Sequence, residues 1–180
     1  MGREFARCRQ NSTRFCRFAL SSGMKAIGDT IDPATPLTIW REGAEAQVTL
    51  GDLLTRPTVV SIYMKNNTGS CDKQNISLAD HAEALDAAGF NLVAVSRDKV
   101  TSHARYADKL KINYVLASDP DDHFAQAADA VVEKKMYGKT YEGPARAAFV
   151  LGEDGVVQGV IPKIKPAAHG QELLELVNEL

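Results

Sequence analysis

Residues 58–75 read TVVSIYMKNNTGSCDKQN. Thr58–Met64 is β-branched and nearly all apolar, the pattern of a strand buried on both faces. The run then breaks into polar residues and Gly69, and a lone Cys71 arrives where helix-like spacing begins. An inert structural cysteine would more naturally sit inside the apolar run; this one stands at its exit. Ile76, Ala79, Ala82, Leu85 and Ala88 recur every third residue and Gly89 follows, which predicts an amphipathic helix closed by a glycine. Strand, polar loop and helix in that order are the unit of an α/β sheet. Cys71 then falls in the first helical turn beyond the C-terminal end of a central strand, where such sheets place their sites.

Outward from that unit the alternation continues. Leu37–Arg41 and Ala46–Leu50 read as short strands around a turn at Glu42–Glu45, with Gly43 at its centre. Asn91–Ser96 is a second buried strand, Asp98 and Thr101 are candidate caps of a helix running through Leu110, and Tyr114–Ala117 is a further short strand before the Asp119-Pro120 turn. A helical piece near His123–Ala130 precedes Ala145–Leu151 and Val156–Ile161, strands flanking Glu153-Asp154-Gly155, and Gly170–Leu180 closes as a helix. Strands alternating with helices and ending in a hairpin plus helix predict one α/β sheet covered on both faces.

Composition agrees with one domain, since 180 residues at 44% hydrophobic content suffice for a sizeable core. Of the formal net charge of −2, residues 1–23 hold +4, from five arginines and one glutamate, which leaves −6 on residues 24–180. A mildly acidic body gives nucleic acid and anionic lipid little to bind. The basic head lacks the apolar core of a secretory signal; its Arg- and Ser-rich, acid-poor composition suits an organelle transit segment or an upstream extension of a frame starting at Met24. It is set aside as an extension expected to be disordered, with 24–180 as the folded domain. No stretch approaches the 18 or so apolar residues of a membrane helix. Cys8, Cys16 and Cys71 form neither C-x-x-C nor zinc spacing, and the one body cysteine favours either a reducing compartment, the cytoplasm unless the head directs import, or a thiol retained for its chemistry.

At the first turn of a helix, unpaired N–H groups and the positive end of the dipole favour an anion, so a thiol there is drawn toward thiolate, the nucleophilic form. Thr68, three residues earlier, can aim a hydroxyl at the sulfur or at what it attacks. Spacing alone leaves open the plainer reading of Cys71 as a buried, inert small hydrophobe.

Thr68-Gly69-Ser70-Cys71, preceded by Tyr63-Met64-Lys65, resembles the P-x-x-x-T-x-x-C signature of peroxiredoxins, and is most similar to the Q type, also called bacterioferritin comigratory protein. Glu133-Lys134-Lys135-Met136-Tyr137-Gly138-Lys139 resembles that group's E-K-x-M-Y-G-K segment, and Ala145-Arg146-Ala147-Ala148-Phe149-Val150 its R-[ST]-T-F-[VL]-I strand. With Gly28-Asp29, Leu50-Gly51-Asp52-Leu53, Ser118-Asp119-Pro120-Asp121 and Lys165-Pro166-Ala167-Ala168-His169 in order, the resemblance spans residues 26–180. It implies a thioredoxin-like fold, a central mixed β-sheet flanked by helices. It also implies a thiol peroxidase for hydrogen peroxide and organic hydroperoxides, without metal or other cofactor, acting as a monomer or weak homodimer. Cys71 would be the peroxidatic cysteine, Thr68 the hydroxyl holding peroxide and thiolate, and Arg146 the guanidinium stabilising the anion. An arginine in an apolar strand is costly without an anion nearby.

Two departures stand out. Met64 replaces the signature proline, substituting flexible bulk for a fixed backbone. Ile76 occupies the position, five residues after Cys71, where many Q-type members carry a resolving cysteine. The expectation is a one-cysteine enzyme recycled by an outside thiol: thioredoxin, glutaredoxin or a small thiol. A dithiol oxidoreductase fails on the missing C-x-x-C; a weakened redox-sensing or binding module is the non-enzymatic alternative. His81, His103, His123 and His169 lack metal spacing and read as scattered surface or capping residues, Asp119–Asp122 as a turn and helix cap, and Lys134-Lys135 as a solvated pair. His103 and Tyr137 are candidates to border the pocket.

Overall fold

The computed structural model describes residues 23–180; the reading of the Arg-rich head, with Cys8 and Cys16, lies outside the described residues. In chain order they form β1 (Pro36–Arg41), β2 (Ala44–Thr49), α1 (Leu50–Leu53), β3 (Thr58–Ile62), α2 (Gly69–Ala87), β4 (Asn91–Ser96), α3 (Val100–Leu110), β5 (Val115–Ser118), α4 (His123–Ala127), β6 (Val131–Met136), β7 (Lys139–Pro144), β8 (Ala148–Leu151), β9 (Val157–Ile161), a single 3₁₀ turn at Pro166–Ala168, and α5 (His169–Asn178). Seven strands make one sheet in the order β2-β1-β5-β4-β3-β8-β9. The central β3, β4 and β5 run parallel, whereas β1, β8 and β9 join antiparallel, so the sheet is mixed.

Strand alternation divides the core. Val60, Ile62, Val93, Val95 and Phe149 face one side, with Phe124 from α4, while Val59, Leu92 and Val150 face the other, against Leu78 and Leu85 of α2 and Leu173 of α5. A third cluster joins Tyr63, just past the end of β3, and Cys71 of α2 to Ala94, Tyr106 and Leu116. β3 is buried at every position, as its composition requires.

Several expectations need correction. The buried stripe of α2 is Cys71, Gln74, Asn75, Ser77, Leu78, Ala82 and Leu85, whereas Ile76 and Ala88 face solvent. A repeat of three drifts off a helix of 3.6 residues per turn, and polar residues hold part of the inner face. Leu50 opens α1 instead of ending a strand, because Thr49 and Asp52 form a capping box. β6 and β7 form a separate hairpin across the Tyr137-Gly138 turn, both of whose residues are left-handed (φ 52° and 75°), which suits a type I′ turn. Its mostly exposed strands carry little of the apolar alternation that marks sheet membership. β8 begins at Ala148, so Arg146 lies on the approach to the strand. Neither Asp98 nor Thr101 caps α3: its N-cap is Lys99, without a side-chain bond, and the Asp98 carboxylate turns back to the Asn66 N–H and the Ser96 hydroxyl. The Asp119 cap is present, its two oxygens accepting from the His123 and Phe124 N–H groups at 2.8 Å.

Candidate active site

β3 ends beneath the loop Met64–Thr68, and α2 starts at Gly69 with Cys71 as its third residue. The first intrahelical bond runs from Asp72 N–H to Thr68 O at 2.8 Å. The N–H groups of Gly69, Ser70 and Cys71 therefore lie ahead of the helical ladder, at the positive end of a 19-residue helix. Cys71 is 1% exposed.

The residue that reaches its sulfur comes from across the sheet. β3 and β8 pair antiparallel, Ser61 opposite Ala148, and Ile62 N–H donates to Ala147 O at 2.8 Å. That register brings the approach to β8 beside the exit of β3. Arg146 Nη2 donates to Cys71 Sγ at 3.4 Å and Nη1 to Gln74 Oε1 at 3.0 Å. Gln74, one turn on from Cys71, is fully buried, and its Nε2 donates to Ser61 Oγ at 3.0 Å and Ile62 O at 3.2 Å. With its N–H end occupied on β3, the amide can present only oxygen to the guanidinium. Ser61 Oγ, accepting from Gln74, keeps its own hydrogen for His169 Nε2 at 2.8 Å. Burial, then Arg146, pushes His169 down to about 3, so it is a neutral imidazole here. Its Nδ1 is buried with no partner among the described residues.

Of the three residues singled out from sequence, Cys71 and Arg146 meet, and Thr68 makes no hydrogen bond to the sulfur. Thr68 is the N-cap of α2 but makes no capping bond; its hydroxyl donates to Lys65 O at 3.0 Å. The loop is held from below. Asn66, 4% exposed, accepts from the Tyr63 hydroxyl at 2.6 Å, donates its Nδ2 to Ser102 Oγ at 3.0 Å and to His103 Nδ1 at 3.2 Å, and donates its backbone N–H to Asp98 at 2.9 Å.

The AhpC/TSA family model matches residues 31–160. The chain belongs to the AhpC/TSA family. It is 32% identical over 133 residues to peroxiredoxin Bcp of Escherichia coli K12, covering 74% of this chain and 85% of that protein. It is also similar to the solved peroxiredoxin Q of Xanthomonas campestris, at 31% identity and TM-score 0.74, over 83% of this chain and 94% of the other. A structure from the same organism, titled for the alkyl peroxide reduction activity of its bacterioferritin comigratory protein, matches at 30% identity and TM-score 0.74, over 84% and 98%. Thiol-dependent peroxide reduction on a thioredoxin-like fold is thus the activity class of this peroxiredoxin, with a peroxide as substrate and a thiol as reductant.

Sequence reasoning missed Gln74, Ser61 and His169. A buried polar residue on α2 carries no periodic signal, and serine inside an apolar strand reads as filler. His103 and His169, expected as surface or capping residues, are buried; His103 lies under the loop, pushed down to about 4 chiefly by burial. Tyr137 is 96% exposed at the hairpin tip and borders nothing. Lys134 leaves its solvated partner Lys135 and lays Nζ 2.8 Å from Met64 Sδ, its pKa lowered by burial and then by Arg146. Where the family signature has a proline, this chain thus has a thioether contacted by a lysine. Among the described residues no three His, Cys, Asp or Glu side chains converge as a metal site, and no helix is long and apolar enough to cross a membrane.

Proposed function

We infer that Cys71 is the peroxidatic cysteine, attacking the terminal oxygen of hydrogen peroxide or an organic hydroperoxide. The observation that carries this is the Arg146 guanidinium on the sulfur of a buried cysteine in the first turn of α2. Thiolate attack breaks the O–O bond: sulfur takes one oxygen and becomes Cys–SOH, and the other oxygen leaves as hydroxide or alkoxide and takes up a proton. Charge therefore moves from sulfur onto the leaving oxygen. The Arg146 N–H groups and the Cys71 N–H lie where that charge passes and stabilise the transition state more than the resting thiolate. Thr68 joins them by turning its hydroxyl from Lys65 O to the bound peroxide. With Ile76 exposed where a resolving thiol would stand, an outside thiol attacks the Cys71–SOH sulfur, forming a mixed disulfide as water leaves, and a second thiol releases Cys71, which makes this a one-cysteine enzyme of a reducing compartment such as the cytoplasm.

Peroxide consumption with excess small thiol tests this. Cys71→Ser is expected to abolish turnover with the fold intact, because an alcohol is not ionised at neutral pH. Turnover surviving in that variant would sink the assignment. The competing reading, a redox-sensing or binding module, is favoured by Met64 at the proline position and by the Thr68 hydroxyl being engaged with Lys65; it requires wild-type protein to bind or oxidise without turning over.

A further inference from the structure

Next to the Cys71 loop lies a cleft of about 510 Å³ that the peroxide chemistry does not use. Its lining includes Lys99, Arg105 and Lys109, and none of the three forms an ion pair among the described residues. Arg97 also borders it, but Asp122 holds that guanidinium, Nε donating to Oδ1 at 2.8 Å. The one acid of the lining, Asp98, is engaged by the Asn66 N–H and the Ser96 hydroxyl. Residues 24–180 carry −6 overall, so a concave site with three cations outside any ion pair runs against the charge of the body around it. Thr101, Arg105 and Lys109 succeed each other at intervals of four on α3, which puts two like charges side by side, an arrangement that costs stability unless an anion sits between them. The first turn of α3 also lines the cleft and carries no side-chain cap, adding the positive end of a helix dipole.

The cleft shares a wall with the loop that covers Cys71. Asn67, the residue before Thr68, forms part of it, and Lys109 Nζ donates to Asn67 Oδ1 at 2.7 Å. Tyr106, another wall residue, packs in the same cluster as Cys71 and donates its hydroxyl to Asp72 at 2.7 Å. An anion that takes Lys109 competes directly with Asn67 and so with the loop over the sulfur. We propose that this cleft receives the carboxylates of a small anionic thiol, the reductant that clears oxidised Cys71. The proposal rests on the peroxidatic role of Cys71 inferred above. The thiol sulfur attacks Cys71–SOH, an S–S bond forms as the S–O bond breaks, and water leaves. A second thiol then attacks the small-molecule sulfur, releasing the low-molecular-weight disulfide and Cys71 thiolate.

Two measurements on the full chain separate this from its premise. The first is binding of S-methylglutathione, an unreactive tripeptide with two carboxylates, to the reduced protein by NMR titration. Shifts centred on Lys99, Asn67 and Lys109 that weaken at least about fivefold in Lys99→Glu/Arg105→Glu and in high salt are expected; shifts absent, or unaffected by the substitutions, overturn the site whatever Cys71 does. The second starts from Cys71 oxidised by one equivalent of peroxide and compares its reduction by glutathione and by uncharged 2-mercaptoethanol. The rate ratio in favour of glutathione is expected to fall by at least about fivefold in the double variant; an unchanged ratio overturns the proposal, as does inorganic phosphate binding the cleft as tightly as the peptide. If Cys71 fails to oxidise at all, the peroxidatic reading falls, while the binding titration still decides the cleft.

Discussion

Arg146 is oriented by Gln74: Nη1 donates to the glutamine oxygen at 3.0 Å, which leaves Nη2 facing Cys71 Sγ at 3.4 Å. Gln74 cannot turn away, since its nitrogen is held by Ser61 Oγ and Ile62 O. A guanidinium makes both contacts with one rigid fork, whereas a lysine offers a single point charge on a flexible stem. Arg146→Lys is therefore expected to slow peroxide attack on Cys71 by about 10- to 100-fold, the span of about 1.4–2.7 kcal/mol in barrier. Stopped-flow oxidation rates within twofold of wild type would remove Arg146 from the chemistry. In a double-mutant cycle with Gln74→Met, the two losses should be far from additive if the glutamine acts through the arginine.

The fold was legible because its deciding stretch obeys two periods in succession. Thr58–Met64 reads as a doubly buried strand from its β-branched composition and length, the strand itself ending at Ile62, and the position of Cys71 at a helix start followed from the break after it. What spacing did not reveal depends on contacts far apart in sequence. Gln74 meets Arg146 over a separation of 72 residues and Ser61 meets His169 over 108, and a polar residue inside a helix looks the same in sequence whether it faces water or a buried guanidinium. The β6–β7 hairpin was missed for a different reason: with both faces mostly exposed it needs no alternation, and its left-handed Tyr137 gives no sequence cue before Gly138 beyond the glycine itself.

The helix that carries Cys71 is seated on α5 by a close approach at Gly170. A Cβ there would collide with the Ser77 carbonyl and the His81 ring, which are themselves joined at 2.8 Å, while Gly170 N–H donates to Ser77 Oγ at 2.9 Å. Neither obstacle is the free end of a flexible chain. Gly170→Ala should thus destabilise by about 2–3 kcal/mol through overpacking, lowering the melting temperature by roughly 5–10 °C. A melting temperature unchanged within error would mean that α2 and α5 sit farther apart than this contact requires.

Two buried neutral histidines make a case for acid lability. His103 at about 4 and His169 at about 3 both lie below the ordinary 6.5 of the exposed, unfolded side chain. Below 6.5 the unfolded chain binds protons that the folded one refuses, so stability is full above that pH and falls on acidification until the folded values are reached. Each histidine should cost up to about 2 kcal/mol by pH 5, from 1.36 kcal/mol per unit of difference. Urea unfolding between pH 7.5 and 5 should show the decline, and His169→Gln should make it shallower. A flat profile would mean that both rings take up protons in the folded state.

Ile76 offers the sharpest test of how the oxidised enzyme is recycled. It is 43% exposed and five residues beyond Cys71 on the same helix. At 1.5 Å of rise per residue, positions five apart lie about 8–9 Å from Cα to Cα, beyond the roughly 7 Å that a disulfide spans. Ile76→Cys would therefore place a resolving thiol where it can act only if the first turn of α2 unwinds. Protein beginning at Met24, given one equivalent of peroxide, should separate the two routes by intact mass. The parent chain is expected to gain one oxygen, about 16 Da, and to keep it until a thiol is added. The variant is expected to lose about 2 Da as a disulfide closes between Cys71 and the introduced thiol, with a fall in helical circular dichroism that reduction reverses. If the variant instead holds its sulfenic acid as long as the parent, the helix start is rigid on that timescale. An outside thiol would then have to reach Cys71 through motion of the Met64–Thr68 loop alone.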